Sequence, residues 1–549
     1  MARKSRRTFL KQAGTAGAAL AAGRFLAPAI FAQSGPSRIY IDTAQKIAPL
    51  DRRVLGSFLE HLGRAIYEGV YDPGSKHADS SGFRTDVAEE IKKMAVPMVR
   101  YPGGNFVSGY HWLDGVGPKD KRPTVIDKAW NTIETNQFGT NEFMAWCKAV
   151  GTEPLMGMNL GTGTPEMCAA LVEYCNQAKG TKWSELRRSH GVEQPYNVKS
   201  WCIGNEMDGP WQIGHMTARE YGRKARDAAN QMRMVDESLE LIACGSSSIM
   251  MPTYLEWDRE VLEECYDLVD AISLHAYYRN DEAEFGAAGD TAKYLAYNLI
   301  MDRQIEDIIG VADYVRSRTH SPKKLWLSFD EWNVWYRARN GDGGRIQAPH
   351  LLEEVYDLQD GLLVGGLINS LLRHADRVKV ACLAQLVNVI APITTNKDGL
   401  IRHTIYYPYL WALQAAKGEV LDVATEAPTY EVKGLGQGPR GGARGGRPAT
   451  TQVPFLDAVA TLDEAGKKLS LFVLNRDLAK AREVELVFRE TPPGKVQMSQ
   501  VLTGTDLKAF NSFEKPTNVA PQALEAPKSG SRVTVQLPAR SYTVIQWGA

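Results

Sequence analysis

Residues 200–206 read SWCIGNE and residues 325–331 read LWLSFDE. Each is a short apolar run of the length and composition of a strand, and each closes on a glutamate. A carboxylate at the end of a buried strand must be hydrated, paired or used, because burying it charged and alone is costly. Six more runs of this kind flank the pair: VLGSFLE (54–60), MVRYPGG (98–104), PLMGMNLG (154–161), LIACGSSS (241–248), AISLHAY (271–277) and VACLAQL (380–386). Between them lie amphipathic stretches such as TDVAEEIKKMA, TNEFMAWCKAVG, TPEMCAALVEYCNQ and TAREYGRKARDAANQMRMV, several opening on Thr with an acid in the first turn, a helix-start signal. Eight strand-and-helix units over about 350 residues predict an α/β chain folded as a closed (β/α)8 TIM barrel. No Gly-x-Gly-x-x-Gly follows the first strand, which argues against an open dinucleotide-binding sheet.

The barrel is expected over 51–404. Beyond 405 the pattern changes to short alternating runs, FLDAVATL, KLSLFVLN, EVELVFR, VTVQLP and SYTVIQW, which predict a C-terminal antiparallel β-sandwich over 405–549. Residues 37–50, with SRIYIDT, are expected to add an N-terminal strand to it. The stretch GLGQGPRGGARGGRPATT (434–451) reads as a flexible surface loop. Residues 1–32 hold six Lys or Arg and no acid, then an Ala- and Gly-rich apolar stretch. Within them SRRTFLK is similar to a twin-arginine export signal and APAIFA offers small residues for cleavage, so a periplasmic or secreted enzyme is expected. A basic tail is the plain alternative. The apolar part is too short for a membrane span, and no membrane contact is expected of the mature form.

The chain of 549 residues is 44% hydrophobic and 23% charged, a soluble globular composition. Its 64 basic and 64 acidic residues cancel, so no long-range field favours nucleic acid or an anionic membrane, and no nucleic-acid partner is expected. Seven cysteines are too sparse for a disulfide scaffold, and all lie in helix or strand patterns. Cys168 and Cys175 share a helical face, but nothing joins them at a zinc-ligand spacing; no metal is expected.

In such a barrel the polar residues at strand ends converge on one mouth. Here they are Glu60, the 103–105 turn with Asn105, Asn159, Asn205, Glu206, His275, Tyr277, Glu331 and Gln385. Two carboxyl groups facing one another there can split the work of breaking a bond, one donating a proton to a leaving oxygen while the other stays ionised and attacks carbon. That is glycoside hydrolysis by two displacements. Asn205 would reach a sugar hydroxyl beside the reacting carbon, and Tyr277 could steady the nucleophile's oxygen. Each element has a plainer reading. A strand-end glutamate is more often an ion-pair partner, His275 a structural histidine, and Trp201, Trp211, Trp332 and Trp335 packing, although aromatic faces also stack on sugars. Asp208 and Asp330 are competing acids. Strand alternation predicts Asp330 and Glu331 on opposite faces of the sheet.

The segments GSFLEHLGRAIYEGVYDPGS, VRYPGGNFVSGYHWLDGVGP, WCIGNEMDGPWQIGH, ISLHAYYRN, FDEWNVWY and AQLVNVIAPI resemble, in order and spacing, the α-L-arabinofuranosidases of glycoside hydrolase family 51. The resemblance spans roughly residues 37 to 430. It implies that Glu206 is the acid/base and Glu331 the nucleophile of a retaining, exo-acting enzyme that frees terminal α-L-arabinofuranosyl residues from arabinan, arabinoxylan or their oligosaccharides. It further implies that Glu60, Asn105, Asn205 and Gln385 bind the sugar hydroxyls, that His275 and Tyr277 support the carboxylates, and that Trp112 and Trp335 form an aromatic wall. No cofactor is implied, and a homo-oligomer, commonly a hexamer, is. The export leader and the 434–451 loop depart from the family pattern. An endo-acting glucanase or xylanase on the same barrel and a non-catalytic sugar-binding protein are the alternatives. The case requires that Glu206 and Glu331 meet across one cup, neither turned into solvent nor locked to an arginine elsewhere.

Overall fold

The computed structural model describes residues 37–280, 289–338, 344–435, 449–490, 492 and 494–548. The twin-arginine segment and most of the Gly/Arg-rich loop lie outside them.

Eight parallel strands close a barrel: β1 (Gly56–Phe58), β2 (Met98–Tyr101), β3 (Glu153–Gly157), β4 (Ser200–Ile203), β5 (Glu240–Ala243), β6 (Ala271–Tyr278), β7 (Trp326–Val334) and β8 (Val378–Leu383). Each overlaps one of the eight apolar runs. Helices α1 (Thr85–Met94), α2 (Thr140–Val150), α3 (Pro165–Asn176), α4 (Ala218–Val235), α5 (Glu256–Cys265), α6 (Asn298–Thr319) and α7 (Leu358–Arg373) separate or cover them, and α8 (Tyr406–Ala415) follows β8. Helix α4 shows why these segments are helical. Thr217 Oγ1 accepts from the Glu220 N–H while Glu220 accepts from the Thr217 N–H at 3.0 Å, and Tyr221, Ala225, Ala228, Ala229 and Met232 form one buried face at three- and four-residue spacing.

Strand β7 breaks the alternation expected of it. Ser273 pairs with Ser328 and His275 with Glu331, so three steps on β7 oppose two on β6; a second irregularity against β8 lies between Phe329 and Trp332. A bulge of this kind inserts a residue and re-aims its neighbours. Asp330 and Glu331 therefore both reach the groups inside the barrel mouth instead of taking opposite faces.

The C-terminal region is a two-sheet sandwich. A seven-stranded sheet runs Lys46–Pro49, Glu419–Leu421, Leu456–Leu462, Lys468–Asn475, Ser541–Gly548, Lys495–Thr503, Gln522–Ala523, and a four-stranded sheet runs Ala424–Glu426, Ser37–Ile41, Arg482–Phe488, Arg532–Leu537. Pairing is antiparallel except between Ser37–Ile41 and Arg482–Phe488, which run parallel. Leu469, Leu471 and Val473 pack between the sheets with Ile39, Leu486 and Val535. Phe472 and Leu474, on the opposite face of the same strand, belong to the barrel's core. Helix α7 lies between, buried on every side from Leu358 to Leu372. A Cβ on Gly365 would stand 2.4 Å from the Tyr542 ring, so only glycine permits this approach.

The Gly/Arg-rich segment is bracketed by a hairpin, Thr429–Lys433 with Thr450–Pro454, whose Val432 and Val453 pack on Ala296. All seven cysteines are buried and unpaired. Among the described residues no helix is long and apolar enough to cross a membrane.

Candidate active site

Glu331, on β7, is 5% exposed and held from two sides. Arg100 of β2 donates through Nη1 to Oε1 at 2.5 Å, and the Tyr277 hydroxyl of β6 donates to Oε2 at 2.8 Å. The arginine partner lies within the cup itself. Its other terminal nitrogen donates to Asn205 Oδ1 at 2.7 Å, and Nε stands 3.5 Å from Asp330. Arg100 therefore ties β2, β4 and β7 into one polar floor.

Glu206 sits just past β4, after Gly204 at φ 100° and itself at φ 45°, both left-handed. This turn lifts the carboxyl above the strand end, where its side chain keeps 11% of its surface exposed. Oε1 lies 2.8 Å from His275 Nδ1, and Oε2 accepts from Trp211 Nε1 at 2.7 Å. One carboxylate oxygen of Glu206, one of Glu331 and a nitrogen of His275 all fall within 4.8 Å of one another. Carboxyl groups about 5–5.5 Å apart suit a covalent glycosyl intermediate, whereas inverting pairs stand farther apart to admit water.

His275 also meets Asp330 Oδ1 through Nε2 at 3.1 Å. Burial alone would lower its pKa, but Glu331, Asp330 and Glu206 outweigh burial and push it up to about 10. Asp330 is lowered, because Arg100 and His275 overcome its burial. The Glu206, His275 and Glu331 atoms resemble a divalent-cation donor set, and both His275 ring nitrogens are engaged by carboxylates, Nδ1 by Glu206 and Nε2 by Asp330.

Glu60 follows β1 and faces the same cup. Its Oε1 accepts from the Phe106 N–H at 2.8 Å and Trp130 Nε1 at 2.9 Å, and its own N–H donates to Gln385 Oε1 at 3.0 Å. Burial, with the charge of Glu331 added, pushes its carboxyl up to about 8. A Cβ on Gly104 would lie 3.0 Å from Glu60 Oε2 and 3.1 Å from Glu331 Oε1, so the two carboxyls share a wall that has no side chain. Asn105 borders this wall, and its side chain makes no hydrogen bond among the described residues. Trp335 packs edge-on against Tyr277 at 5.5 Å and donates to the Ala338 carbonyl.

The structure thus brings together Glu60, Asn205, Glu206, His275, Tyr277, Glu331, Trp335 and Gln385, with Asn105 on the border. Trp112 stands apart. It is 7% exposed, packs on Tyr174 and Trp183, donates to the Met167 carbonyl, and lines a small apolar cavity of about 40 Å³ with Val107, Met158 and Leu171. Asn159 is spent on local turns, bonding Tyr110, Thr162 and Gly163. Asp208 accepts from Ser247 and is raised to about 6 by burial. Sequence reasoning missed Arg100; the signal was a lone charge inside an apolar strand. It read Trp211 as packing or a sugar-stacking face, not as a hydrogen-bond donor to Glu206.

Two family models match the chain: an α-L-arabinofuranosidase 1 domain over 90–295 and an α-L-arabinofuranosidase C-terminal domain over 330–541. The chain is 46% identical over 491 residues to an intracellular exo-α-(1→5)-L-arabinofuranosidase 1 of Bacillus subtilis, covering 89% of this chain and 94% of the relative. It is 45% identical over 512 residues to an intracellular exo-α-(1→5)-L-arabinofuranosidase of Halalkalibacterium halodurans, covering 92% and 98%. A solved family 51 α-L-arabinofuranosidase from Bifidobacterium longum superposes with a TM-score of 0.86 at 37% identity, over 94% of this chain and all of that one. The relatives correct the expectation of a Tat signal and of a periplasmic or secreted enzyme: both curated relatives are named intracellular. That expectation rested on SRRTFLK, APAIFA and the basic, acid-free composition of residues 1–32, which lie outside the described residues. With the cup of carboxylates at the mouth of a closed eightfold barrel and this similarity along nearly its whole length, the chain belongs to the α-L-arabinofuranosidases of glycoside hydrolase family 51.

Proposed function

We propose that this enzyme removes terminal non-reducing α-L-arabinofuranosyl residues, with retention, from arabinose-bearing oligosaccharides of the arabinan or arabinoxylan type. The exo mode is that of the relatives' names, and an intracellular site of action is the location those names support. Glu331 attacks the anomeric carbon and Glu206 gives its proton to the departing oxygen. Water then attacks the same carbon while Glu206 takes its proton, forming the new C–O bond as the bond to Glu331 breaks and its carboxylate is released. Arg100 and His275 lie against Glu331 and Asp330, while Glu206 stands at the rim of the cup, where a leaving oxygen can reach it. Tyr277 holds the attacking carboxylate in line. Glu60, Asn105, Asn205 and Gln385 receive the furanose hydroxyls, and Trp335 stands beside them. The chain works as a barrel over 51–404 joined to a sandwich built from 405–549 and 37–50, and it assembles as a homo-oligomer.

The approach of Glu206 and Glu331 to within 4.8 Å is the observation that supports this reading most directly. The test is Glu331→Gly with azide on an aryl α-L-arabinofuranoside. Activity should fall by about 10⁴-fold or more and return with an azide adduct of the sugar. A folded variant that azide does not restore would remove Glu331 from the role.

A further inference from the structure

Glu206 is reached by one donor that the two-carboxylate mechanism does not use. Trp211 lies on the turn that leaves β4, and its indole folds back over Gly209 to donate to Glu206 Oε2 at 2.7 Å. That return is built into the backbone. Gly209 N donates to the Glu206 carbonyl at 2.8 Å, Gln212 N to the Gly209 carbonyl at 3.0 Å, and a Cβ on Gly209 would stand 2.5 Å from the indole Cε2. Yet the indole gains little from burial, since Trp211 is 51% exposed. A large apolar side chain held half in solvent by a glycine turn, its N–H on a carboxylate, is placed for that contact and not for packing.

The two oxygens of Glu206 have unlike partners. Oε1 faces inward to His275, which is anchored in turn by Asp330. Oε2 points outward, and among the described residues Trp211 is its hydrogen-bond partner. A carboxylate has lone pairs to spare after both contacts, so a leaving-group oxygen can still approach. His275 alone fixes one end of the carboxyl and leaves its plane free to turn; a second donor at the other oxygen stops that rotation. General acid catalysis depends on such alignment, within about 2.6–3.2 Å of the departing oxygen.

We propose that Trp211 is a positioning residue for proton transfer: its indole N–H fixes the plane of the Glu206 carboxyl so that the proton meets the leaving oxygen. The proposal rests on Glu206 being the acid/base. It asks most of Trp211 when the leaving group is basic and must be protonated as it departs. It asks least when the leaving group is a stable phenolate.

The experiment compares kcat and KM of wild type, Trp211→Phe, Trp211→Gln and Glu206→Ala on arabinobiose and on 4-nitrophenyl α-L-arabinofuranoside. Trp211→Phe keeps a ring and loses the donor. It should lower kcat/KM on arabinobiose by about tenfold or more, the scale of one hydrogen bond to a charged acceptor, and change the nitrophenyl substrate by less than about threefold. Trp211→Gln restores a donor without the ring and should recover part of the loss. An equal loss on both substrates, or a rise in KM alone, would show the indole to be a sugar platform and overturn the proposal. Glu206→Ala separates the two ideas. If it spares the nitrophenyl glycosylation step while Trp211→Phe is flat across leaving groups, Trp211 alone is wrong. If Glu206→Ala loses both substrates equally, the acid/base assignment itself falls.

Discussion

Glu331 and Glu206 face each other across less than 5 Å and are held in opposite ways. Glu331 is embedded in a strand, fixed by a guanidinium and a phenol from two other strands. Glu206 stands on a left-handed turn beyond its strand, with a buried imidazole on one oxygen and a half-exposed indole on the other. A carboxylate that must remain ionised and attack along one line is served by a permanent cation and rigid neighbours. One that must take and return a proton needs contact with the leaving group and with water. The same residue type thus takes two roles from its surroundings.

Arg100 is where this contrast can be broken hardest. Arg100→Met removes the cation shared by Glu331, Asp330 and Asn205 and leaves a buried charge unpaired, at a cost of about 3–5 kcal/mol. A much lower melting temperature and a fall in kcat/KM on the order of 10³-fold are expected, even on activated substrates. Calorimetry and initial rates check both, and a variant near wild type in activity would show that Glu331 does not need the cation.

Gly104→Ala is a finer probe. The added methyl would press on Glu60 Oε2 and Glu331 Oε1 without straining the backbone, so roughly 10–100-fold in kcat/KM should be lost with little change in melting temperature. Equal impairment of the nitrophenyl and disaccharide substrates would place the damage on Glu331's side; selective impairment of the disaccharide would shift it to Glu206.

The effect at Glu60 is read in the pH dependence of stability: it is a third carboxyl in the cup that, among the described residues, receives N–H groups and no cation. Its pKa rises from 4.5 to about 8, so the folded chain keeps a proton there that the unfolded chain releases. Stability should therefore decline as pH rises between about 4.5 and 8 and level off above. Glu60→Gln, which cannot titrate, should flatten that part of a melting-temperature profile. A profile that the substitution leaves unchanged would mean that Glu60 is already ionised at neutral pH.

The barrel was legible because each buried strand is a short apolar run and each covering helix carries its own start signal. The polar ends of those strands located the cup, since topology sends them all to one mouth. What escaped depended on irregularity. Periodicity cannot register the extra residue that puts Asp330 beside Glu331, and nothing in MVRYPGG says which carboxylate Arg100 will meet. Trp112 illustrates the converse. Its neighbourhood in the sequence borders the mouth, but the indole turns into the packing under α3, where Tyr174 and Trp183 receive it.

The strand Lys468–Asn475 is apolar on both faces because it belongs to two cores at once, with α7 pressed against Tyr542 across a missing side chain. The smaller unit is therefore no detachable accessory of the kind that enzymes exchange by recombination. Its inner sheet serves as one wall of the catalytic half, and any graft that swapped it would have to reproduce that wall residue by residue.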